Sequence, residues 1–418
     1  MSSLRIGLLT DVFFPDQNGV STSVLLLQRE LRRRGHQAVI MAPRFPGHRD
    51  SSEYQGVLRM PSVVNPALPR QRLAFPTRRR LPGRFDLIHT HTPGSIGWWG
   101  SRLARRWDVP HVSTFHTHLE RYTHYIPGLT QLERHAGFVT RVVRRFYSTA
   151  DLIVAPSEGS QSMLHDYGIL RPSVVLPTGI DEALLAAAPD QPSPWPAGTR
   201  RLLSVGRLGH EKRMDLVLNA LAALREQHDA HLVVLGEGPQ EAALRTHADT
   251  LGLRDHVTFL GPVPFSDIGA YYRMAELFMF GSDSETQGLV LIEAQTMGLP
   301  VVAVGAQGTL NGVQHQVSGY LVSPGDWAAL ADHAATLLAH PEQHAAFRRE
   351  AHTFAAQFSA AQMAEQMLDL YSYALSAARP RVAWDSVAGT PLTLQAARNL
   401  EPSVHAAQNS RKYGLRGF

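Results

Sequence analysis

The sequence has no cysteine, and this absence excludes a set of chemistries at once. Among its 418 residues no thiol can form a disulfide, ligate a metal ion or act as a nucleophile. Lysine is scarce too, because it occurs only as Lys212 and Lys412. A chain without disulfides suits a reducing compartment, so we expect a cytoplasmic protein.

Long apolar runs and two common nucleotide-binding signatures are also missing. No run reaches the ~18 apolar residues that span a bilayer, and the N-terminus enters a strand directly, so we expect neither a transmembrane helix nor a secretion signal. The chain has no GxxxxGK[ST] loop. Gly236, Glu237 and Gly238 lack the third glycine of a dinucleotide fingerprint.

Charge is divided unevenly along the chain. The net charge is +4, yet residues 1–200 hold 24 arginines against 15 acidic residues, and residues 201–418 hold 16 basic against 21 acidic residues. Arginine clusters attract phosphate on nucleic acids or anionic lipids, unless they only form a solvated face. No recognition-helix motif accompanies them, so we expect no nucleic-acid partner. The clusters are Arg32, Arg33, Arg34, Arg70, Arg72, Arg78, Arg79, Arg80, Arg84, Arg141, Arg144 and Arg145.

Length and pattern predict two α/β domains. A chain of 418 residues, 44% hydrophobic and 18% charged, suits two globular domains of roughly 150 to 200 residues each. Short apolar runs alternate with helix-period segments, which is typical of doubly wound parallel sheets. The predicted strands are 5–11, 38–43, 86–91, 111–116, 151–156, 173–177, 201–207, 231–238, 257–261, 277–280 and 300–304.

One segment between these strands has the composition of a linker. Residues 181–199 are rich in Ala and Pro, so we expect them to join a first domain over 1–180 to a second over 200–358. Residues 379–418 show no clear period. We therefore predict no structure for this tail.

Ligands of open parallel sheets bind beyond the carboxyl ends of the strands, so chemistry is expected just after each strand. Asn18 and Gly19 precede a helix predicted over 21–34 and capped by Gly35, where either a pyrophosphate binds the helix N-terminus or an ordinary turn forms. Arg207 and Lys212 lie at a later strand-to-helix junction. Two cations there can converge on a diphosphate, unless Lys212 begins that helix by chance.

The most distinctive segment is SDSETQGLVLIEAQTMGLPVVA, in which seven residues separate Glu285 from Glu293. A helix starting near Gly288 places Glu285 in a loop and Glu293 about a turn and a half inside, so the two carboxylates reach different parts of one extended ligand. Gly288 also leaves room for phosphate to approach the helix N-terminus. Surface charge is the alternative, but the run around Glu293 is otherwise apolar.

Histidines cluster at two predicted strand ends. His89 and His91 end one strand, His116 and His118 end the next, and His124 follows. Side chains of a strand alternate between its two faces, so His89 and His91 lie on the same face and could form part of a metal site. No acidic residues follow matching strands and no two Asp residues are two apart, so we expect no metal. We expect His116 to meet a reacting group, with His89 a core residue.

Taken together, the motifs SETQGLVLIEA, VGRLGHEK and NGVSTS resemble those of glycosyltransferase family 4. The segment 89–126 is similar to the diacylglycerol 3-alpha-glucosyltransferase branch of that family, and the likeness covers about residues 4–375. It implies an α/β GT-B architecture, with two tandem Rossmann-like doubly wound domains and a cleft between them. It also implies that a helix over 359–378 crosses back to the N-terminal domain.

The resemblance implies roles for particular residues. Arg207 and Lys212 would hold the diphosphate, Glu293 the ribose hydroxyls and Glu285 the transferred sugar. His116 would contact that sugar near its 6-position. The implied catalytic residues are His116, Glu285, Arg207 and Lys212.

Gly19 would lie against the phosphates, and the backbone around Val263 would read the base. The implied donor-binding residues are Gly19, Arg207, Lys212, Val263, Glu285, Gly288, Leu289 and Glu293. The residues expected at the acceptor or the membrane are Asp11, His91, Tyr122, Arg141, Arg144 and Arg145.

The implied reaction is retaining hexosyl transfer from a UDP-sugar, carrying glucose, galactose or glucuronate, to the hydroxyl of diacylglycerol. No cofactor or metal is expected, and the protein would dock peripherally on the anionic inner face of the cell membrane. Two other readings stay open. The acceptor can be phosphatidylinositol with GDP-mannose as donor, or a soluble sugar or polysaccharide, and the chain can be a silent nucleotide-sugar-binding scaffold.

Overall fold

The computed structural model describes residues 3–16, 18–47, 54–65, 68–116 and 129–377. Within them the chain divides into two compact units. The first contains the described residues up to Gly179 and those from Ala360 onward, and the second contains Ile180–Ser359. Across these described segments, no helix combines the length and the apolar character needed to cross a bilayer.

The first unit is built on a parallel sheet of seven strands. Its central strands are buried along their whole length, as expected of a parallel sheet that is covered on both faces. The strands are β1 (Arg5–Leu9), β2 (Gln37–Pro43), β3 (Val57–Met60), β6 (Leu87–Thr90), β7 (His111–Thr114), β8 (Leu152–Ala155) and β9 (Ser173–Val175). Their order is β3-β2-β1-β6-β7-β8-β9. An antiparallel hairpin of β4 (Ser62–Asn65) and β5 (Leu68–Ala74) follows β3.

Among the described residues that precede Ile180, five α-helices accompany the first sheet. They are α1 (Gly19–Arg33), α2 (Ser95–Trp107), α3 (Leu129–Ala136), α4 (Phe138–Tyr147) and α5 (Glu158–Asp166). α1 begins at a capping box, because Asn18 Oδ1 accepts hydrogen bonds from Val20 N and Ser21 N, at 3.0 and 3.2 Å, while Ser21 Oγ accepts one from Asn18 N. Gly35, with φ of 84°, follows its end as predicted.

The second unit repeats the plan with six parallel strands. They are β10 (Arg200–Val205), β11 (Ala230–Leu235), β12 (Val257–Gly261), β13 (Leu277–Phe280), β14 (Val301–Val304) and β15 (Gly319–Val322). The order is β12-β11-β10-β13-β14-β15. Strand order therefore reverses beside β10, as it does beside β1 in the first sheet, and such switch points are where doubly wound sheets bind ligands.

Helices connect the strands of the second unit and enclose its sheet. They are α6 (Glu182–Ala186), α7 (Met214–Leu224), α8 (Glu241–Thr250), α9 (Phe265–Met274), α10 (Leu289–Thr296), α11 (Thr309–Gly312), α12 (Trp327–Ala339) and α13 (Pro341–Ala355). α7 and α12 pack against one face, while α9 and α10 pack against the other.

The last described helix, α14 (Ala360–Ala377), belongs to the first unit. Its residues Met367, Leu370 and Tyr371 join the apolar cluster that contains Leu8 of β1 and Leu27 of α1. At its start, the Ala361 carbonyl oxygen accepts a 2.7 Å hydrogen bond from the Arg34 guanidinium. The core of the first unit is thus built from both ends of the described chain.

Two features differ from the sequence-based expectations. Residues 181–199, expected as a linker, lie in the second unit, because Leu185 and Trp195 are buried in its core and Trp195 Nε1 donates to the Leu202 carbonyl oxygen at 3.0 Å. Strands β3, β4, β5 and β15 were not predicted. Strands β3, β4 and β15 have only four residues each, and the hairpin of β4 and β5 exposes several side chains. None of these four strands therefore gives a clear apolar run in the sequence.

Candidate active site

The loop after β10 carries two cations predicted from the sequence, and it is closely packed. A Cβ at Gly236 would lie 2.0 Å from the Gly206 carbonyl oxygen, and one at Gly238 would lie 2.3 Å from that of Leu208. Only glycine lets the loop after β11 approach this backbone so closely. The two glycines of the sequence Gly-Glu-Gly after β11 therefore serve the packing of this loop.

The loop after β13 packs against the same backbone from the other side. A Cβ at Gly281 would lie 2.3 Å from the Arg213 carbonyl oxygen, and Ser282 Oγ donates to the Glu211 carbonyl oxygen at 2.9 Å. Arg213 has φ of 46°, and its guanidinium lies 3.8 Å from Asp283. The loops that follow β10 and β13 therefore form one assembly at the switch point of the second sheet.

This assembly brings Lys212 and Glu285 together although 73 residues separate them in sequence. Lys212 Nζ lies 2.5 Å from Glu285 Oε1, and the two side chains are 19% and 14% exposed. An ion pair so far withdrawn from water holds its partners firmly, because removing either leaves a poorly hydrated charge. Lys212 Nζ also lies 5.8 Å from the centre of the Phe280 ring. A cation and a carboxylate are thus fixed side by side at the sheet edge.

Glu293 lies on α10, one and a half turns beyond Gly288, which has φ of 78° and precedes the helix. Its side chain is buried, with 6% exposure, and Glu293 Oε2 accepts a 2.8 Å hydrogen bond from the Tyr272 hydroxyl. Burial raises the pKa of Glu293 to about 7, and the hydrogen bond from Tyr272 opposes that rise. Tyr272 was missed from the sequence because an aromatic residue on a helix ordinarily indicates packing.

The other predicted donor-binding residues lie on several different elements. Arg207 is exposed at the end of β10, and Leu289 begins α10. Val263 follows β12, which is two strands away from β10, and it packs partly buried against the core. Gly19 opens α1 of the first unit. The structure therefore brings Lys212 and Glu285 into contact, and the remaining roles stay predictions.

In the first unit Asp11 follows β1 and caps helix α2. One carboxylate oxygen accepts hydrogen bonds from Ser95 Oγ and Ile96 N, at 2.9 and 2.8 Å, and the other from Thr92 Oγ1 and Gly97 N, at 2.9 and 3.1 Å. Burial raises its pKa, which these four bonds oppose. Both carboxylate oxygens accept hydrogen bonds at the N-terminus of α2, where backbone N–H groups have no partner within the helix. This geometry gives no support to the predicted acceptor or membrane role of Asp11.

The strand-end histidines form a stack. The ring centres of His89 and His91 are 4.1 Å apart, and His91 Nδ1 lies 3.0 Å from His116 Nε2. His89 bonds to the Tyr371 hydroxyl and to Thr114 Oγ1, each at 2.7 Å, so it is a satisfied core residue as expected. Burial lowers the pKa of His116 to about 4 and that of the other two well below the ordinary 6.5. The stack is therefore neutral at pH 7.

Arg141, Arg144 and Arg145 lie exposed on α4, near exposed apolar side chains of α3 and α4 that include Leu132 and Phe138. Tyr122, His118 and His124 lie outside the described residues. The β4 and β5 hairpin and its flank also expose apolar side chains, namely Val63, Val64, Leu73 and Phe75.

Within residues 3–16, 18–47, 54–65, 68–116 and 129–377, no group of three or more His, Asp or Glu side chains is arranged to hold a metal ion. The expectation that no metal takes part stays a prediction.

Comparison with known proteins identifies relatives of both units. Residues 17–184 match the family model described as Glycosyltransferase Family 4, and residues 188–354 match the one described as Glycosyl transferases group 1. The chain is 34% identical to the alpha-monoglucosyldiacylglycerol synthase of Streptococcus pneumoniae over 72% of its own length and 71% of that protein. It is 29% identical to a GDP-mannose-dependent alpha-mannosyltransferase of Mycobacterium tuberculosis over 82% and 90% of the two chains.

Among solved structures, the chain is similar to HepE of Anabaena in complex with UDP-glucose. The TM-score is 0.69 at 21% identity, over 88% of this chain and 99% of that one, which shows a shared fold. The two parallel-sheet units and these matches define a glycosyltransferase with the GT-B fold. The chain belongs to glycosyltransferase family 4.

The raised pKa of Glu293 makes the stability of the second unit depend on pH. The folded state keeps a proton that the unfolded state releases between pH 4.5 and about 7, so stability is lost as pH rises through that window. The full loss is about 3 kcal/mol, since each pKa unit corresponds to about 1.4 kcal/mol. We expect Glu293→Gln to raise the melting temperature more at pH 8 than at pH 5. Glu241→Gln, at an exposed ion pair on α8, is the control, and an equal effect at both pH values would contradict the assignment.

Because Asp11 caps α2, we expect Asp11→Ala to lower the stability of the protein strongly. Two backbone N–H groups and two hydroxyls lose their acceptor inside the protein, at a cost of about 2–3 kcal/mol. Hydrogen exchange should quicken at Ile96 and Gly97, and the melting temperature should fall. Asp326→Ala removes the exposed cap of α12 and should cost about 1 kcal/mol. Equal losses in the two variants would rule out a special role for Asp11.

Proposed function

We propose that this glycosyltransferase moves a hexose from a UDP-sugar to the hydroxyl of diacylglycerol and retains the anomeric configuration. The product is an alpha-glycosyl diacylglycerol. The observation that carries this proposal is the Lys212 and Glu285 pair at the switch point of the second sheet, with buried Glu293 one helix turn and a half beyond Gly288. The Streptococcus pneumoniae relative, a diacylglycerol glucosylating enzyme by its name, supports the acceptor.

The second unit would bind the donor. Lys212 and Arg207 neutralise the charge that grows on the departing diphosphate, and Glu293 accepts hydrogen bonds from the ribose hydroxyls. Glu285 holds the hexose, and its pairing with Lys212 sets the distance between the sugar and the cation. Donor binding is supported by the solved HepE complex with UDP-glucose.

The transfer would need no enzyme nucleophile. The bond between the anomeric carbon and the phosphate oxygen breaks, and the acceptor oxygen bonds to the same face of that carbon. The acceptor proton passes to the departing phosphate oxygen, so protons and charge balance without a metal ion. Catalysis then rests on positioning and on the fixed charges of the site.

The first unit would receive the acceptor. His116 and His91 are neutral because burial lowers their pKa, so they can accept or donate a hydrogen bond to a hydroxyl without carrying charge. Neutral groups suit diacylglycerol, which has no charge of its own.

The surface of α3 and α4 supports the proposal that the protein associates peripherally with an anionic membrane. Arg141, Arg144 and Arg145 supply positive charge, and Leu132 and Phe138 supply exposed apolar side chains. Such a combination binds the interface of a bilayer through both charge and burial. Cytoplasmic residence at the inner face of the cell membrane is part of the same proposal.

Another acceptor remains the second candidate, since one relative is named as a GDP-mannose-dependent mannosyltransferase. The acceptor would then be phosphatidylinositol or a soluble sugar. A silent nucleotide-sugar scaffold is disfavoured, because a decayed site would not retain the cation and both carboxylates in place.

We expect Lys212→Ala and Glu285→Gln each to lower transfer to diacylglycerol vesicles at least 100-fold, because each removes one half of the fixed pair. The assay follows chloroform-extractable label from UDP-glucose, UDP-galactose and UDP-glucuronate. Arg245→Ala, which breaks an exposed ion pair on α8, is the control and should leave the rate unchanged. Absence of lipid label with the wild-type protein and every donor would reject the acceptor.

Replacing Arg141, Arg144 and Arg145 together by Ala should weaken binding to anionic vesicles by tenfold or more, since each basic group near such a surface contributes about 1 kcal/mol. Flotation with phosphatidylglycerol vesicles at two salt concentrations measures the effect. The control replaces Arg225, Arg245 and Arg254 of the second unit. Equal binding by both triple variants would remove these arginines from the membrane surface.

A further inference from the structure

Gln307 combines two unusual features in the loop after β14. Its φ is 49°, in the left-handed region that side chains other than glycine rarely adopt. Its amide oxygen Oε1 is buried and accepts no hydrogen bond from any residue in the described part of the chain. Each feature costs stability, and strained or unsatisfied groups of this kind concentrate at functional sites.

The surrounding loop forces this conformation. Thr309 Oγ1 donates to the Val304 carbonyl oxygen at 2.7 Å and accepts a bond of the same length from Ala306 N, while Leu310 N donates to the Gln307 carbonyl oxygen at 3.2 Å. These bonds fix the backbone on both sides of position 307. Gln307 therefore cannot relax its backbone without breaking them.

The same loop packs closely against the backbone of Glu285, the residue expected to hold the sugar. Gly308 N donates to the Glu285 carbonyl oxygen at 2.9 Å, and a Cβ at Gly308 would lie 2.3 Å from the carbonyl carbon of Thr286. Gln307 thus lies one residue from a direct backbone contact with Glu285. Both follow neighbouring strands, β14 and β13, at the carboxyl edge of the sheet.

The chemistry of the unsatisfied atom restricts its ligand. An amide oxygen needs a hydrogen-bond donor, which phosphate and carboxylate oxygens do not supply at neutral pH. The ribose hydroxyls are expected at Glu293, so the hydroxyls of the hexose are the donors that remain near Glu285.

We propose that Gln307 accepts a hydrogen bond from a hydroxyl of the transferred hexose and helps to determine which hexose is bound. This inference rests on the proposed function, since it takes Glu285 to contact the sugar. The residue acts in the selection of the donor, apart from the charge stabilisation assigned to Lys212.

Two variants separate the amide from the backbone. Gln307→Leu keeps the size and the left-handed backbone but removes the amide, and Gln307→Gly removes both the amide and the strain. The matched control is Gln316, whose φ is 63° and which lies exposed before β15, at the opposite edge of the sheet. Gln316→Leu and Gln316→Gly make the same changes away from the site.

Calorimetry on the full chain then compares UDP with UDP-glucose, and GDP with GDP-mannose. We expect both Gln307 variants to bind UDP-glucose, or GDP-mannose if that is the donor, about five- to tenfold more weakly, with binding of the bare diphosphate unchanged. The preference between UDP-glucose and UDP-galactose should shrink as well. The melting temperature of both variants should be no lower than that of the wild type, since a buried unpaired oxygen is removed.

Wild-type affinity for the sugar nucleotide in Gln307→Leu would overturn the inference, as would an equal loss in the Gln316 variants. Weaker binding of the sugar nucleotide in Gln307→Gly but not in Gln307→Leu would also overturn it, because the backbone conformation and not the amide would then determine the affinity. Failure of the proposed acceptor is seen separately, when the wild-type protein binds UDP-glucose but labels no lipid. A wild-type protein that binds none of the four nucleotides would contradict both proposals.

Discussion

The close approach of two glycine-bearing loops is the constraint on which the site depends. At Gly236, Gly238 and Gly281 even a methyl group would collide with the opposing backbone, so only glycine at these positions lets the loops after β10, β11 and β13 pack this closely. The ion pair between Lys212 and Glu285 is a result of that packing. Its two charges are therefore held side by side by the fold of the second unit itself.

Two carboxylates differ in the hydrogen bonds that the fold supplies to them. Asp11 accepts four hydrogen bonds from α2 and its neighbours and has little capacity left for a ligand. Glu293, whose side chain is buried, accepts one from Tyr272. The difference is visible only in the fold, because either residue alone in a sequence is simply an acid after or within an apolar run.

Much of the architecture could be predicted from the sequence, because buried parallel strands are short apolar runs and their carboxyl ends carry the polar residues. The positions of Lys212, Glu285 and Glu293 followed from that rule. Other features depend on partners distant in sequence, and these could not be predicted. Asp11 accepts hydrogen bonds from α2, which lies more than 80 residues later in the sequence. Gln307 has a left-handed backbone, which a glutamine in the sequence does not indicate.

The position of α14 has a consequence for biosynthesis. During translation the ribosome releases the strands of the first unit, then the entire second unit, and only afterwards the helix that completes the first apolar core. The second unit is continuous in sequence and can fold as soon as it has emerged. The first unit, by contrast, has an uncovered apolar face until α14 has emerged from the ribosome, and such a face favours aggregation.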